Sequence, residues 1–264
     1  MSRLSVVLPL FAPTLFLRAL AEFSIRTMRL HADDPSYELI VAEAGGDHFA
    51  RYEAHNLIVQ PETAIDRYLG FPQPIGGIRE TNAAIDAASG EFIVSTGSDV
   101  IVPKGWDTEL LHVFEERPKD CGIASLSAFE PGATIGPREK LDMIVEGMFS
   151  PFNMFRKGWR LDEAYKRIYQ DSDLVMRMYE QGLRAYRSCR LHVHHLGQMT
   201  TAVIGPSVGH DLALAQDERL FYRRWGKSPL AMFAMIRSGQ YTYGNEHASW
   251  TKSIRLHYNE NTPE

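Results

Sequence analysis

Short apolar runs alternate with amphipathic stretches through the first hundred residues. Residues 5–10 are rich in Val and Leu, which is typical of a strand buried on both faces. Residues 15–30 carry apolar side chains at helical spacing with arginines between them, and Pro35 follows. The chain is therefore predicted to begin with a strand and a helix.

The same alternation continues as far as residue 95. Residues 37–42, 57–59 and 92–95 predict three more strands, and the alanine-rich residues 80–88 predict a helix. This order predicts the α/β class, with a doubly wound, mostly parallel sheet between two layers of helices. Ligands of such sheets bind at the carboxyl ends of the strands. The residues predicted at these ends are Phe11, Glu43, Gln60, Ser98 and Asp99.

The second half has a looser pattern of the same kind. Its predicted helices are 106–116, 171–181 and 211–225, and its predicted strands are 122–126, 152–155 and 191–194. The segment 130–151 reads as a loop, and the polar and aromatic tail after residue 226 has no period.

Composition excludes several classes of protein. In 264 residues, 44% are hydrophobic and 23% are charged, which excludes disorder and coiled coil for the whole chain. A net charge of -5 gives no general attraction to nucleic acid. Cys121 and Cys189 lack metal-type spacing, which favours a reducing compartment.

The apolar N-terminus admits two interpretations. Ala19-Leu20-Ala21 resembles a signal-peptidase site, but residues 6–10 read as a strand of the fold. We therefore expect a cytoplasmic protein. No stretch approaches the ~20 uncharged residues of a membrane span, so no transmembrane segment is expected.

Acidic residues supply the first candidate chemistry. Asp99 follows a predicted strand, where a carboxylate could hold a hard cation or complete a turn. Asp171 and Asp173 open a predicted helix, where each could cap the helix or act as a general base. Residues two apart on a helix do not share a face, so only one of the two is expected in a site.

Three histidines crowd the end of one predicted strand. Alternation places His192 and His194 on one face and His195 on the other. Imidazole is a usable metal ligand, although such residues are also ordinary polar groups at a strand exit. Phosphate-binding P-loops, dinucleotide fingerprints, nucleophile elbows and His-Glu-x-x-His are absent.

Taken in order, these pieces resemble the family 2 glycosyltransferases, inverting enzymes of the GT-A fold. The resemblance runs from about residue 4 to residue 225. Its pieces are Val6-Val7-Leu8-Pro9-Leu10-Phe11, Glu38 to Glu43, Arg79 to Val94, Ser98 to Trp106, Gln170-Asp171-Ser172-Asp173-Leu174 through Arg177 and Gly182, and His194-His195-Leu196-Gly197.

The resemblance implies a nucleotide-sugar donor bound across the first strands. It places Glu43 at the base or ribose, Arg79 near the nucleotide, and Asp99 with His194 on a divalent ion, Mn²⁺ or Mg²⁺. It also makes Asp171 the general base, with His192 as a reserve metal ligand. Two departures stand out: Gly97 replaces the first acid of the family's Asp-x-Asp, and Gly46 replaces a small hydroxyl residue.

The expected organisation is one domain over residues 1–226, with donor binding in 1–105 and acceptor binding and catalysis in 106–226. Residues 227–264 form an extension expected to pack, to serve the acceptor side or to join copies of the chain. The acceptor is a hydroxyl-bearing glycan, protein, lipid-linked molecule or nucleic acid that the sequence does not specify. The alternatives are a catalytically silent sugar-nucleotide-binding module and a nucleotidyltransferase.

Overall fold

Strands and helices alternate along the chain in a computed structural model, which describes residues 3–53, 60–129, 144–146, 151–197, 199–205, 210–228, 231, 232 and 235. The strands are β1 (Leu4–Leu10), β2 (Glu38–Ala44), β3 (Arg67–Phe71), β4 (Phe92–Thr96), β5 (Val100–Ile101), β6 (Cys121–Phe129), β7 (Ile144–Glu146), β8 (Phe152–Arg156) and β9 (Arg184–His195). The helices are α1 (Leu15–His31), α2 (Gly77–Ala87), α3 (Trp106–Glu116), α4 (Gln170–Glu180), α5 (Met199–Ile204) and α6 (His210–Trp225), and short 3-10 helices lie at His48–Tyr52 and Pro61–Thr63.

The strands of the described residues form one mixed sheet. Its order is β3-β2-β1-β4-β8-β6-β9-β5, and β7 pairs with β9. The first four of these strands are mutually parallel, β8 runs antiparallel to β4 and β6, and β9 runs parallel to β6. The carboxyl ends of β1, β2 and β4 therefore meet at one edge, which is where a doubly wound sheet binds its ligands.

Side-chain alternation along each strand feeds two apolar layers. In β1, Val6 and Leu8 pack with α1 and α3 on one face, while Val7 packs with α2, α4 and α6 on the other. This three-layer arrangement confirms the predicted α/β class with a mostly parallel sheet. The apolar runs are continuous because the central strands are buried on both faces.

Some sequence predictions fall outside the described residues. These are the strand at 57–59, nearly all of the loop 130–151 and nearly all of the extension 227–264. The third strand of the described chain is β3, which contains Arg67 and Gly70 and has no fully buried residue. Within the described residues no helix is long and apolar enough to cross a membrane.

The turn into α4 is unusual. Tyr169 has a φ of 66°, and no other non-glycine residue of the described chain has a positive φ. A bulky residue pays a conformational penalty there, so its surroundings must hold it. Its ring packs against Phe221 of α6, with centroids 5.7 Å apart. This turn sets the direction in which Gln170 and Asp171 enter the site described next.

Candidate active site

Two neighbouring cavities lie at the carboxyl edge of the sheet. The inner chamber has a volume of about 190 Å³ and is lined by Pro9, Thr81, Ser95, Thr96, Ile123, Pro151, Asn153, Phe155, Leu161, Gln170, Asp171 and Leu174. The outer cleft has a volume of about 750 Å³ and is lined by residues 9–11, residues 74–78, Glu80, Thr81, Leu161, Lys166, Arg167, Gln170, Thr200 and Gly205. Pro9, Thr81, Leu161 and Gln170 line both, so the two cavities adjoin.

Asp171 is the one ionisable residue among those that line the inner chamber in the described part of the chain. Its Oδ1 accepts a hydrogen bond from the Ser172 amide at 2.7 Å. Burial nevertheless raises the pKa of Asp171 from 3.8 to about 6, because removing a carboxylate from water disfavours its charged form. The group is therefore ionised at neutral pH and basic enough to take up a proton.

Asp173 differs from Asp171 in its burial and in its hydrogen-bond partners. It is fully buried, and its carboxylate accepts hydrogen bonds from Tyr165 Oη, Arg177 Nε, Arg224 Nη1 and Trp225 Nε1 at 2.8–3.2 Å. These donors come from the loop before α4, from α4 itself and from α6. Asp173 thus ties three segments together and has no free edge toward a ligand.

Two cationic residues reach the outer cleft in a way that the sequence pattern did not indicate. The buried carboxylate of Asp217 in α6 accepts hydrogen bonds from the backbone amides of Lys166, Arg167 and Ile168 at 2.7–3.1 Å. This clamp fixes the loop that carries Lys166 and Arg167 along the cleft wall. The sequence pattern could not predict this placement of Lys166 and Arg167, because Asp217 lies about fifty positions further along the chain.

The predicted donor-side residues are distributed unevenly. Phe11 lines the outer cleft and covers Gly45, where an added Cβ would lie 3.2 Å from the ring. Glu43 is buried, and its Oε2 accepts hydrogen bonds from the Phe49 amide at 2.9 Å and the Tyr68 hydroxyl at 3.0 Å. Its carboxylate thus organises the chain after β2.

Of the candidate donor-side and cation-binding residues, four line neither cavity in the described chain: Arg79, Ser98, Asp99 and His195. The Arg79 side chain is exposed and pairs with Glu163, with 3.4 Å between Nε and Oε2. The structure explains the glycine at position 46, because a Cβ there would lie 3.1 Å from Glu43 Oε1. The departure from a hydroxyl residue therefore leaves room for a buried carboxylate.

The acid and histidine that could hold a cation are Asp99 and His195. Asp99 Oδ1 lies 3.6 Å from His195 Nε2. The sequence predicts His194 in this place, but the exposed side chain of His194 lies on the opposite face of β9, with its ring 5.3 Å from that of Phe129. The register of β5 with β9 explains the difference, since it sets His195 opposite Val100, next to Asp99.

Asp99 and His195 suit a cation that takes most of its coordinating atoms from a molecule bound beside it. No group of three or more His, Cys, Asp or Glu side chains that could bind a metal occurs among the described residues. A Cβ at Gly97 would lie 2.9 Å from Asp99 Oδ1, so the glycine leaves space for this carboxylate. One carboxylate and one imidazole fit Mg²⁺ or Mn²⁺ when phosphate oxygens supply further ligands.

Comparison with known proteins supports the fold. The sequence matches no protein-family model and no curated protein. The crystal structure of S. aureus TarS 1-349 is 14% identical, with a TM-score of 0.58 over 83% of this chain and 72% of that chain. TarS 1-349 in complex with UDP-GlcNAc is 13% identical, with a TM-score of 0.56 over 89% of this chain and 76% of that chain.

A longer TarS structure is 14% identical, with a TM-score of 0.57 over 84% of this chain and 44% of that chain. This chain therefore spans less than half of that longer protein. At this level of identity the likeness concerns the fold alone. The chain shares a mixed α/β fold with these TarS structures.

Proposed function

We propose that this chain is an inverting glycosyltransferase, similar to family 2, that moves a sugar from a nucleotide-sugar donor to an acceptor hydroxyl. The observation that carries the proposal is the carboxyl of Asp171, which lines a chamber at the carboxyl edge of a GT-A-like sheet and whose pKa burial raises to about 6. The TarS complex with UDP-GlcNAc supports a nucleotide sugar as the donor class.

The geometry suggests where each part of the donor would bind. The larger outer cleft, with Lys166 and Arg167 on its wall, suits the nucleoside diphosphate, because cationic side chains offset its charge. The adjoining chamber suits the sugar. Residues 1–105 then contribute Phe11 to the donor side, and residues 106–226 contribute the cationic wall of Lys166 and Arg167 as well as the base.

The proposed chemistry is a single displacement. The acceptor oxygen attacks the anomeric carbon, the bond from that carbon to the phosphate oxygen breaks, and Asp171 receives the hydroxyl proton. Attack opposite the leaving group inverts the anomeric centre. A positioned general base typically contributes 10²–10⁴-fold to such a step.

A divalent ion would be held by Asp99 and His195. When bound, it would neutralise charge on the departing diphosphate. Asp99 and His195 do not line the outer cleft, so the diphosphate would have to extend beyond the cleft wall of Lys166 and Arg167 to contact this ion. The described structure supports this proposal through the Asp99–His195 separation of 3.6 Å.

A panel of nucleotide sugars tests the proposed function. The protein is incubated with UDP-GlcNAc, GDP-mannose and further donors, with Mn²⁺, Mg²⁺ or a chelator, and release of nucleoside diphosphate is measured. Metal-stimulated release from one donor is expected. Binding without release would instead indicate a silent module, and release of pyrophosphate from a nucleoside triphosphate and a sugar phosphate would indicate a nucleotidyltransferase.

Substitutions of the cation pair give a prediction with an internal control. Asp99→Ala and His195→Ala should each weaken Mn²⁺-dependent donor binding at least ~10-fold, because each removes one of two protein ligands. His194→Ala is the matched control, since that side chain lies on the other face of β9. Calorimetry with and without Mn²⁺ measures the effect. Losses in Asp99→Ala and His194→Ala, with His195→Ala unaffected, would instead support the pair that the sequence predicts.

A further inference from the structure

Helix α1 carries four large apolar side chains on its outer face. The exposed fractions are 81% for Leu15, 53% for Phe16, 49% for Phe23 and 55% for Leu30. Together these side chains leave on the order of 400 Å² of apolar surface in solvent, which is within the range of the largest patch on an ordinary monomer. Patches of this size are often functional, so the outer face of α1 is a candidate interaction surface.

Three of these side chains form an evenly spaced row. Phe16, Phe23 and Leu30 follow one another at intervals of seven residues, which is close to two turns of helix, so they lie along one line. Phe23 is the midpoint of this line. If two copies of α1 pack antiparallel about a two-fold axis at Phe23, the two Phe23 side chains meet and each Phe16 meets a Leu30. The row is therefore complementary to itself, as the interface of a symmetric dimer must be.

A cavity beside Leu30 has room for an aromatic side chain from a second copy. It has a volume of about 360 Å³ and is lined by Arg29, Leu30, Pro35, Pro61, Glu62, Ala64 and Asp66. The antiparallel pairing brings Phe16 of the second copy to Leu30, at the edge of this cavity. Paired helices interlock by inserting side chains into holes on the facing surface. Each copy therefore supplies both the ring that is inserted and the cavity that receives it.

The charges around the row favour a second copy over an anionic membrane. Arg26 Nη2 lies 3.2 Å from Glu62 Oε1, and Arg29 is paired with Asp66. Because these cations are already paired within the chain, they offer little attraction to anionic lipid. In the antiparallel pairing Arg26 lies opposite Leu20 of the second copy, so its alkyl stem covers an apolar side chain. The pairing thus keeps the charged groups of the two Arg26 side chains apart.

We propose that this chain forms a symmetric dimer through α1, with the two helices antiparallel about a two-fold axis at Phe23 and each Phe16 seated in the cavity beside Leu30 of the second copy. Two such apolar patches and the polar rim around them come to about the 1,000 Å² that a specific interface needs. This size is at the low end, so we expect a dimer that dissociates on dilution. In the described chain α1 lines neither cavity of the candidate active site, and the inference does not depend on the proposed function.

Cysteine cross-linking of the full chain tests the two-fold axis. Both native cysteines, Cys121 and Cys189, are buried, so they contribute little background. Under mild oxidation Phe23→Cys should give a disulfide-linked dimer, because the axis brings the two copies of position 23 together. Phe16→Cys and Leu30→Cys should each stay unlinked alone, since about 21 Å of helix separates the two copies of either position. An equimolar mixture of these two variants should cross-link. Failure of either Phe23→Cys or the mixture to cross-link overturns the proposed arrangement.

Sedimentation velocity of the parent and of Phe23→Glu gives an independent test. The parent should show a dimer that dissociates on dilution, whereas Phe23→Glu should be monomeric, because it would set two carboxylates against each other on the axis. Since Phe23 is half exposed, the thermal midpoint of this variant should match that of the parent. Leu212→Glu is the matched control, because Leu212 is an exposed apolar residue of another helix, α6. A monomeric parent overturns the inference, as does a dimer that survives Phe23→Glu. Flotation of a monomeric parent with vesicles of phosphatidylcholine and phosphatidylglycerol would assign the face to lipid instead.

Discussion

Asp171→Asn should lower sugar transfer at least ~10²-fold and leave donor affinity nearly unchanged. The amide keeps the shape of the side chain in the inner chamber but cannot accept the acceptor's proton. In kinetic terms kcat falls and the dissociation constant of the donor does not. Steady-state rates of nucleoside diphosphate release with acceptor present, together with calorimetry, measure the two quantities.

The matched control is Asp173→Asn, on the same turn of α4. Its carboxylate is occupied by four donors, so the folded fraction of this variant should keep a parental specific activity. A reversal, with Asp173→Asn inactive and Asp171→Asn active, would assign the base to Asp173. If both variants transfer sugar at the parental rate, the base is neither residue.

The pH dependence of transfer follows from the same group. Burial raises the pKa of Asp171 to about 6, so kcat/KM should fall about tenfold per unit below pH 6 and level off above pH 7. The residual rate of Asp171→Asn should lack this limb. An identical acidic limb in parent and variant would show that another group titrates.

Asp173→Asn has the largest expected effect on stability. Its buried carboxylate holds Arg177 and Arg224 by ion pairs of 2.8 and 3.1 Å. Replacing it removes the counter-ion of Arg177, leaves Arg224 paired with Asp162 alone, and places an amide donor among donors. We expect unfolding free energy to fall by about 3 kcal/mol, a typical loss when one partner of a buried pair is removed.

Asp171→Asn should change stability in the opposite direction. The folded-state pKa of Asp171 lies above its unfolded value, so ionisation destabilises the native protein above about pH 6 and has no effect below about pH 4. At pH 8 the asparagine variant should therefore unfold at a higher denaturant concentration than the parent. Urea unfolding of both variants at pH 8 measures the two effects, and destabilisation of equal size in both would contradict this division of roles.

The central elements of the fold could be predicted because the pattern of apolar residues reflects their burial. β1, β2 and β4 are continuous apolar runs, and α3 has an unbroken helical stripe that gave its exact bounds. β3 could not be found this way, since Arg67 and Gly70 interrupt its apolar pattern. An edge strand is only half buried, so hydrophobic patterning marks it weakly.

Parts of the site depended on tertiary pairing that local sequence does not encode. Helical spacing separated Asp171 from Asp173, and the structure places only Asp171 in the chamber. Strand alternation separated His194 from His195, but the register of β5 on β9 decides which one meets Asp99. Lys166 and Arg167 could not be predicted at the cleft, because the loop that carries them is held there by Asp217, far along the chain.

A crystal structure of the Asp171→Asn variant with a nucleotide sugar and Mn²⁺ tests the central claim most directly. We predict the nucleoside diphosphate in the outer cleft beside Lys166 and Arg167, and the sugar in the inner chamber. The anomeric carbon should lie close enough to residue 171 that an acceptor oxygen in contact with this side chain would be about 3–4 Å from the carbon. A nucleotide sugar bound away from this edge of the sheet, or seated with its sugar outside the chamber, would contradict the account.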